Sequence, residues 1–231
     1  MFEIIIMITF DKVTKKYAFD NLALDQVSFQ VDDNEFVFLV GPSGAGKTTI
    51  LKLLLRELLL TSGTIIIDDT DISTKRFKNI HKLRQRIGVV FQDFKILSDK
   101  NVYENIALSL QVIGMHDYQV KKEVMEALEL VNLTHKELQF PTQLSAGELQ
   151  RVAIARAIVG NRDIILADEP TGNLDPKTTW EIMRIFKKLE GTKTILFATH
   201  NSDIVNSLKK RVLVMKDGKL IKDNRKGGYE L

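Results

Sequence analysis

The 231-residue chain is 44% apolar and 27% charged, an ordinary globular make-up that excludes disordered and collagen-like chains. Its 33 Lys and Arg against 30 Asp and Glu leave a formal charge of +3, too small to require a nucleic-acid partner. Without a single cysteine, disulfides, thiolate metal sites and thiol catalysis drop out, and the chain suits a reducing compartment.

Residues 4–10, rich in isoleucine, predict a first strand and carry neither the basic start nor the small-residue cleavage site of a signal peptide. Met7 opens an alternating run from Ile8 to Val13, so translation from Met1 or from Met7 both fit, residues 1–6 being an extension in the second case. Residues 27–31 and 35–40 predict two more strands, joined by the turn Asp32-Asp33-Asn34. A glycine-rich turn at 41–46, a helix over 47–59 and a strand at 64–67 follow. Strand–loop–helix–strand is the layout of a nucleotide-binding α/β lobe.

The turn itself, Gly41-Pro42-Ser43-Gly44-Ala45-Gly46-Lys47-Thr48, fits the P-loop pattern, follows a strand and opens a helix, the context that pattern requires. Its glycines let backbone N–H groups face phosphate oxygens, and the helix start adds positive partial charge. In this reading Lys47 holds the β- and γ-phosphates, Thr48 offers its hydroxyl to Mg²⁺ and Thr49 reaches another phosphate oxygen. The alternative, a plain glycine-rich turn, leaves the Lys-Thr pair unexplained.

Residues 72–92 contain Lys75, Arg76, Lys78, Lys82, Arg84 and Arg86 with no Asp or Glu, a solvated face or a surface for anionic lipid. The richest apolar window, 53–60, is broken by Arg56 and Glu57, so no stretch is long enough to span a bilayer. Amphipathic runs near 101–112, 117–131 and 146–159 predict a helical subdomain over about 95–160. In Leu144-Ser145-Ala146-Gly147-Glu148, Ser145 and Glu148 stand at capping-box spacing, and a capped helix start also attracts anions.

The apolar run 164–167 predicts a buried parallel strand ending in Asp168 and Glu169. An Asp-Glu pair after a strand is by itself a solvated loop; joined to a P-loop it reads as a Walker B segment, with Asp168 on Mg²⁺ and Glu169 orienting or deprotonating the attacking water. A helix near 177–189 and a strand at 194–198 follow, and His200, directly after that strand, is placed to reach a γ-phosphate. Residues 212–215 and 220–221 predict a closing hairpin around Asp217-Gly218, before Gly227-Gly228 in a polar tail.

The order of these motifs resembles the nucleotide-binding subunit of ATP-binding-cassette (ABC) ATPases over nearly the whole chain. The resemblance implies a single α/β domain over 1–231: a RecA-like P-loop core with an N-terminal antiparallel β subdomain, about 1–94 and 161–231, and an α-helical signature subdomain, about 95–160. It implies an ATPase that uses ATP and Mg²⁺ and closes as a head-to-tail homodimer, in which Ser145 and Gly147 touch ATP held by the opposite copy. Ala146 and Glu148 depart from the glycine and glutamine of the family signature Leu-Ser-Gly-Gly-Gln. The resemblance further assigns Tyr17 to the adenine ring, Gln92 to a loop near Mg²⁺ and water, and Asp175 to the loop after Walker B. Their plainer readings are a strand-end tyrosine, a polar loop residue and a helix-capping aspartate before Pro176.

Within the family, the stretches 40–47, 54–57, 87–94, 99–107 and 171–175 look most like the bacterial cell-division branch, whose members pair with an integral membrane protein at the cytoplasmic side of the membrane. Phe91, Phe94, Ile96 and Leu97 lie where family members receive that partner, and at least half of them are expected to be buried in the subunit. Transporter ATPases share the catalytic motifs, and soluble ABC proteins acting on ribosomes or DNA carry two cassettes or long inserts, which this chain lacks.

Overall fold

The computed structural model describes residues 6–18, 21–225 and 227–228. In chain order its elements are strands β1 (Ile6–Lys16), β2 (Leu22–Asp32) and β3 (Phe36–Val40), helix α1 (Lys47–Leu54), β4 (Ser62–Ile67), β5 (Thr70–Asp71), α2 (Ile80–Arg86) and β6 (Ile87–Phe91). Then come α3 (Val102–Gln111), α4 (Asp117–Leu130), α5 (Ala146–Ile158), β7 (Ile164–Asp168), α6 (Pro176–Leu189), β8 (Thr194–Thr199), α7 (Ser202–Leu208), β9 (Arg211–Lys216) and β10 (Lys219–Asn224). They fall into two compact units, Met1–Arg84 with Gly191–Leu231, and Gln85–Glu190.

In the first unit β1 is central to an antiparallel sheet ordered β2–β1–β4–β5. Residues 4 and 5 of the expected first strand, and with them residues 1–5 of the extension that a start at Met7 would leave, lie outside the described residues. The strand runs past position 10 because Lys12 takes a left-handed φ of 46°. That bulge returns Val13 to the inner face, where it is fully buried opposite Val27. Phe10 and Phe29 pair in register and stack with centroids 4.5 Å apart, a contact worth about 0.5–1.5 kcal/mol beyond burial.

The other strands of this unit are ordered β10–β9–β3–β8, with β3 parallel to both its neighbours. All five β3 residues are buried, as a parallel strand covered on both faces requires. Phe36, Phe38 and Phe197 cluster with centroids 5.1–6.0 Å apart. Arg211, almost wholly buried, joins Glu35 at 2.9 Å to Asp223 at 2.6 Å. Helix α1 is shorter than the expected 47–59. Arg56 turns left-handed at φ 54°, and Arg84 donates to the carbonyls of Leu55 and Arg56 at 2.9 and 3.3 Å, satisfying groups that a continuing helix would have used.

In the second unit β6 and β7 are parallel, Phe91 opposite Asp168. Strand β6 and the short helices α2 and α7 had no counterpart in the sequence reading. Gly88 explains how β6 fits: a Cβ there would lie 1.9 Å from the Ala157 carbonyl oxygen, so only glycine lets α5 come so close. Helices α3, α4 and α5 pack through Val102, Ile106, Leu110, Val124, Leu128, Ile154 and Ala155, all essentially buried, each large one contributing about 1.5–3 kcal/mol by leaving water. No described helix is long and apolar enough to cross a membrane.

Candidate functional site

In the first unit Val40 pairs with Thr199. Gly41 and His200, the residues that follow, therefore leave neighbouring parallel strands at one carboxyl edge, the edge where ligands of α/β folds bind. The loop from Gly41 to Gly46 is held at both ends by main chain. A Cβ on Gly41 (φ 150°) would lie 2.2 Å from the Met215 carbonyl oxygen, and one on Gly46 (φ 102°) 2.7 Å from Leu24 Cδ2 and 2.8 Å from the Ala23 carbonyl oxygen. Glycine alone fits either place.

Gly46 is also the N-cap of α1, with no side-chain cap, and a helix start behind a glycine-rich loop is a ready anion site. The loop between the glycine ends exposes Pro42, Ser43 and Gly44 and buries Ala45. Lys47 is buried, its ammonium donating to the carbonyls of Gly41 at 2.7 Å and Pro42 at 3.1 Å, which suspends the charge inside the loop. Thr48 is exposed and Thr49 buried. Tyr17, just past the end of β1, brings its hydroxyl within 3.4 Å of Thr49 Oγ1, and Lys15 Nζ stands 5.2 Å from its ring centroid. The first unit thus gathers Tyr17, the P-loop, Thr48, Thr49 and His200.

The second unit gathers the rest. Since Phe91 and Asp168 are opposite each other, Gln92 and Glu169 depart side by side. Glu169 is left-handed, φ 48°, and its carbonyl accepts the Gly172 N–H at 3.0 Å, closing a tight turn. Gln92 Nε2 donates to Asn173 Oδ1 at 3.2 Å across the top of that turn. Asp175 caps α6 by accepting the Thr178 N–H at 3.1 Å, and Thr178 Oγ1 donates to its other oxygen. The hydroxyl first, then the N–H, hold the Asp175 carboxyl below its ordinary value.

At the start of α5 the capping box forms as its spacing predicts. Ser145 Oγ accepts the Glu148 N–H at 3.3 Å, while Glu148 Oε2 accepts the Ser145 N–H at 2.8 Å and its hydroxyl at 3.0 Å. Glu148 Oε1 meets Lys136 Nζ at 2.5 Å. The Lys136 hydrogen bond, more than the Ser145 bonds and against partial burial, lowers the Glu148 carboxyl to about 2. Gly147 is buried against α6: a Cβ there would fall 2.3 Å from Thr178 Cγ2.

Lys136, Asn173 and Thr178 were missed in the sequence: Lys136 meets Glu148 and Asn173 meets Gln92 over separations that no local pattern carries, and Thr178, three residues from Asp175, meets Gly147 only through packing. The expected burial of Phe91, Phe94, Ile96 and Leu97 is corrected. None is fully buried, and Leu97 is plainly exposed. The backbone of this segment is anchored by polar side chains, Arg156 donating to the carbonyls of Phe94 and Lys95 at 3.0 and 2.7 Å, and buried Asn105 bonding Leu97 through both the N–H and C=O of Leu97. Of the basic run, Arg84 holds the end of α1 and Arg86 is paired to Asp163. Lys75, Arg76, Lys78 and Lys82 stay exposed. Among the described residues no three His, Asp or Glu cluster into a protein-only metal site.

Residues 24–172 match the family described as ABC transporter. The chain is 49% identical to the cell division ATP-binding protein FtsE of Bacillus subtilis over 96% of its length and 98% of that protein's. It is 41% identical to the methionine import ATP-binding protein MetN 1 of Bacillus thuringiensis, over 95% of its length and 66% of that relative's. Among solved structures it superimposes on the ATP-binding cassette MJ0796, a dimer in a post-hydrolysis state bound to ADP and Pi, with a TM-score of 0.86 and 34% identity over 96% of this chain and 100% of that one.

Proposed function

This chain belongs to the ABC transporter family, whose cassette binds and hydrolyses ATP, and we propose that it does so as the motor subunit of a membrane complex in bacterial cell division. The observation that carries the ATPase reading is the loop locked between Gly41 and Gly46 with the Lys47 ammonium suspended inside it. Lys47 then holds the terminal phosphates, Tyr17 offers its ring to the adenine, Glu169 orients or deprotonates the attacking water and His200 reaches the γ-phosphate. Thr48, Asp168 and Gln92 would hold Mg²⁺, which would supply neutralisation of the charge developing on the phosphate oxygens. Ser145, Gly147 and Asp175 act on a second copy, in a homodimer closed on two ATP.

The cell-division output rests on the FtsE relatives, identical at 49% in Bacillus subtilis and 46% in Mycobacterium tuberculosis. By that resemblance the partner is an FtsX-like integral membrane protein at the cytoplasmic face, and closure of the dimer is relayed through it to cell-wall hydrolases outside. Half-buried Phe91, Phe94 and Ile96, with exposed Leu97, are the residues we assign to its docking. The 41% likeness to a methionine importer subunit favours a transporter role as the second reading.

The test is to extract Glu169→Gln protein from membranes in mild detergent with MgATP and identify the co-purifying chain. A membrane protein with few helices and a large outer domain supports the division role. A many-helix permease replaces it with transport, and the absence of any membrane partner overturns both.

A further inference from the structure

Glu148 places a carboxylate where the family signature has a neutral glutamine, at the mouth of the helix that carries Ser145. The carboxylate is also the acceptor of the only proton Ser145 Oγ can give, at 3.0 Å. A hydroxyl so engaged cannot also donate to a phosphate oxygen, and a bare carboxylate beside it would repel that phosphate. Lys136 answers both difficulties. Its Nζ sits on Oε1, the oxygen Ser145 does not use, at 2.5 Å. The turn that carries it, Thr134–Lys136, is fixed by fully buried Leu133, whose carbonyl accepts the Lys136 N–H at 2.9 Å.

Both side chains are only about one-fifth exposed or less, 21% for Lys136 and 16% for Glu148. Lys136 thus reaches the capping box from behind, on the carboxylate oxygen that Ser145 leaves open.

We propose that Lys136 is a positioning residue for the signature serine. By neutralising Glu148 from behind, it allows the Ser145 hydroxyl to turn from the carboxylate to a phosphate of the ATP held by a second copy of this chain. The proposal rests on the trans role given above to Ser145. Release of the hydroxyl removes one of the hydrogen bonds on Glu148, and the Lys136 bond and the Ser145 N–H keep the carboxylate satisfied while it happens.

The experiment measures MgATP-driven dimerisation by sedimentation in the Glu169→Gln background, at fixed low salt. Lys136→Met should weaken the dimer about 10-fold, the effect of one charge-assisted hydrogen bond, and Lys136→Arg should not. Lys136→Met with Glu148→Gln should restore association to within about twofold, because a neutral amide needs no ammonium behind it. Unchanged association in Lys136→Met, or a loss that Glu148→Gln does not repair, overturns the proposal. Ser145→Ala is the separate control: if it leaves dimerisation intact, the trans role of Ser145 is what has failed.

Discussion

Thr178 Cγ2 occupies the place beside Gly147 where a side chain would begin, 2.3 Å from the position of a Cβ. The start of the signature helix α5 is thereby pressed against the start of α6, and the same threonine holds Asp175. Gly147→Ala must displace Thr178, loosening the Asp175 cap, and should weaken ATP-driven dimerisation. Thr178→Ser removes the methyl and keeps the hydroxyl, so the double variant should recover most of the loss. A Gly147→Ala defect untouched by Thr178→Ser would show that glycine is needed at 147 for another reason.

Acid should distinguish Glu148 from its amide. Folding lowers this carboxyl from 4.5 to about 2, so the unfolded chain takes up the proton first as pH falls. The stabilisation is complete above pH 4.5 and is lost between there and about 2. Urea unfolding at a series of pH values should show this loss in the parent protein, while in Glu148→Gln this contribution to the slope is missing.

Lys47→Ala removes the buried ammonium that the Gly41 and Pro42 carbonyls hold in the P-loop. ATP affinity should fall roughly 10- to 100-fold, the range of a charge-assisted contact to phosphate. Equal affinity in a fluorescence titration would refute its role.

Glu169 adopts a left-handed backbone, φ 48°, which glycine takes up freely and a residue with a Cβ only at a cost of about 1 kcal/mol. Glu169→Gly and Glu169→Ala should both lose turnover. The glycine variant should be more stable than the alanine variant by about 1 kcal/mol, read from urea midpoints. Equal midpoints would mean the turn from Glu169 to Gly172 relaxes to suit either residue.

Much of this arrangement was legible before any coordinates. The P-loop, the capping box of Ser145 and Glu148 and the Asp175 cap before Pro176 are local patterns, in which spacing along the chain fixes spacing in space. The strands at 164–167 and 194–198 declared themselves as unbroken apolar runs. Strand β6 did not, because it is five residues long, contains Gly88 and follows α2 without a turn. Helix α7 is seven residues, capped by Asn201 Oδ1 on the N–H groups of Asp203 and Ile204, too short for a helical period to emerge. At least half of Phe91, Phe94, Ile96 and Leu97 were expected to be buried because hydrophobicity alone favours that; Arg156 and Asn105, which anchor the backbone of Phe94 and Leu97, lie elsewhere in the chain. Lys136 and Glu148, like Gly147 and Thr178, meet only through tertiary packing.

The two glycine ends of the P-loop, fixed against the Met215 and Ala23 carbonyls, bear on kinetics as well as on shape. A segment whose ends are already immobilised surrenders little chain entropy when an anion arrives, so affinity is not eroded by ordering. Capture of nucleotide at this loop should accordingly be governed by diffusion and charge steering rather than by a slow rearrangement of the loop.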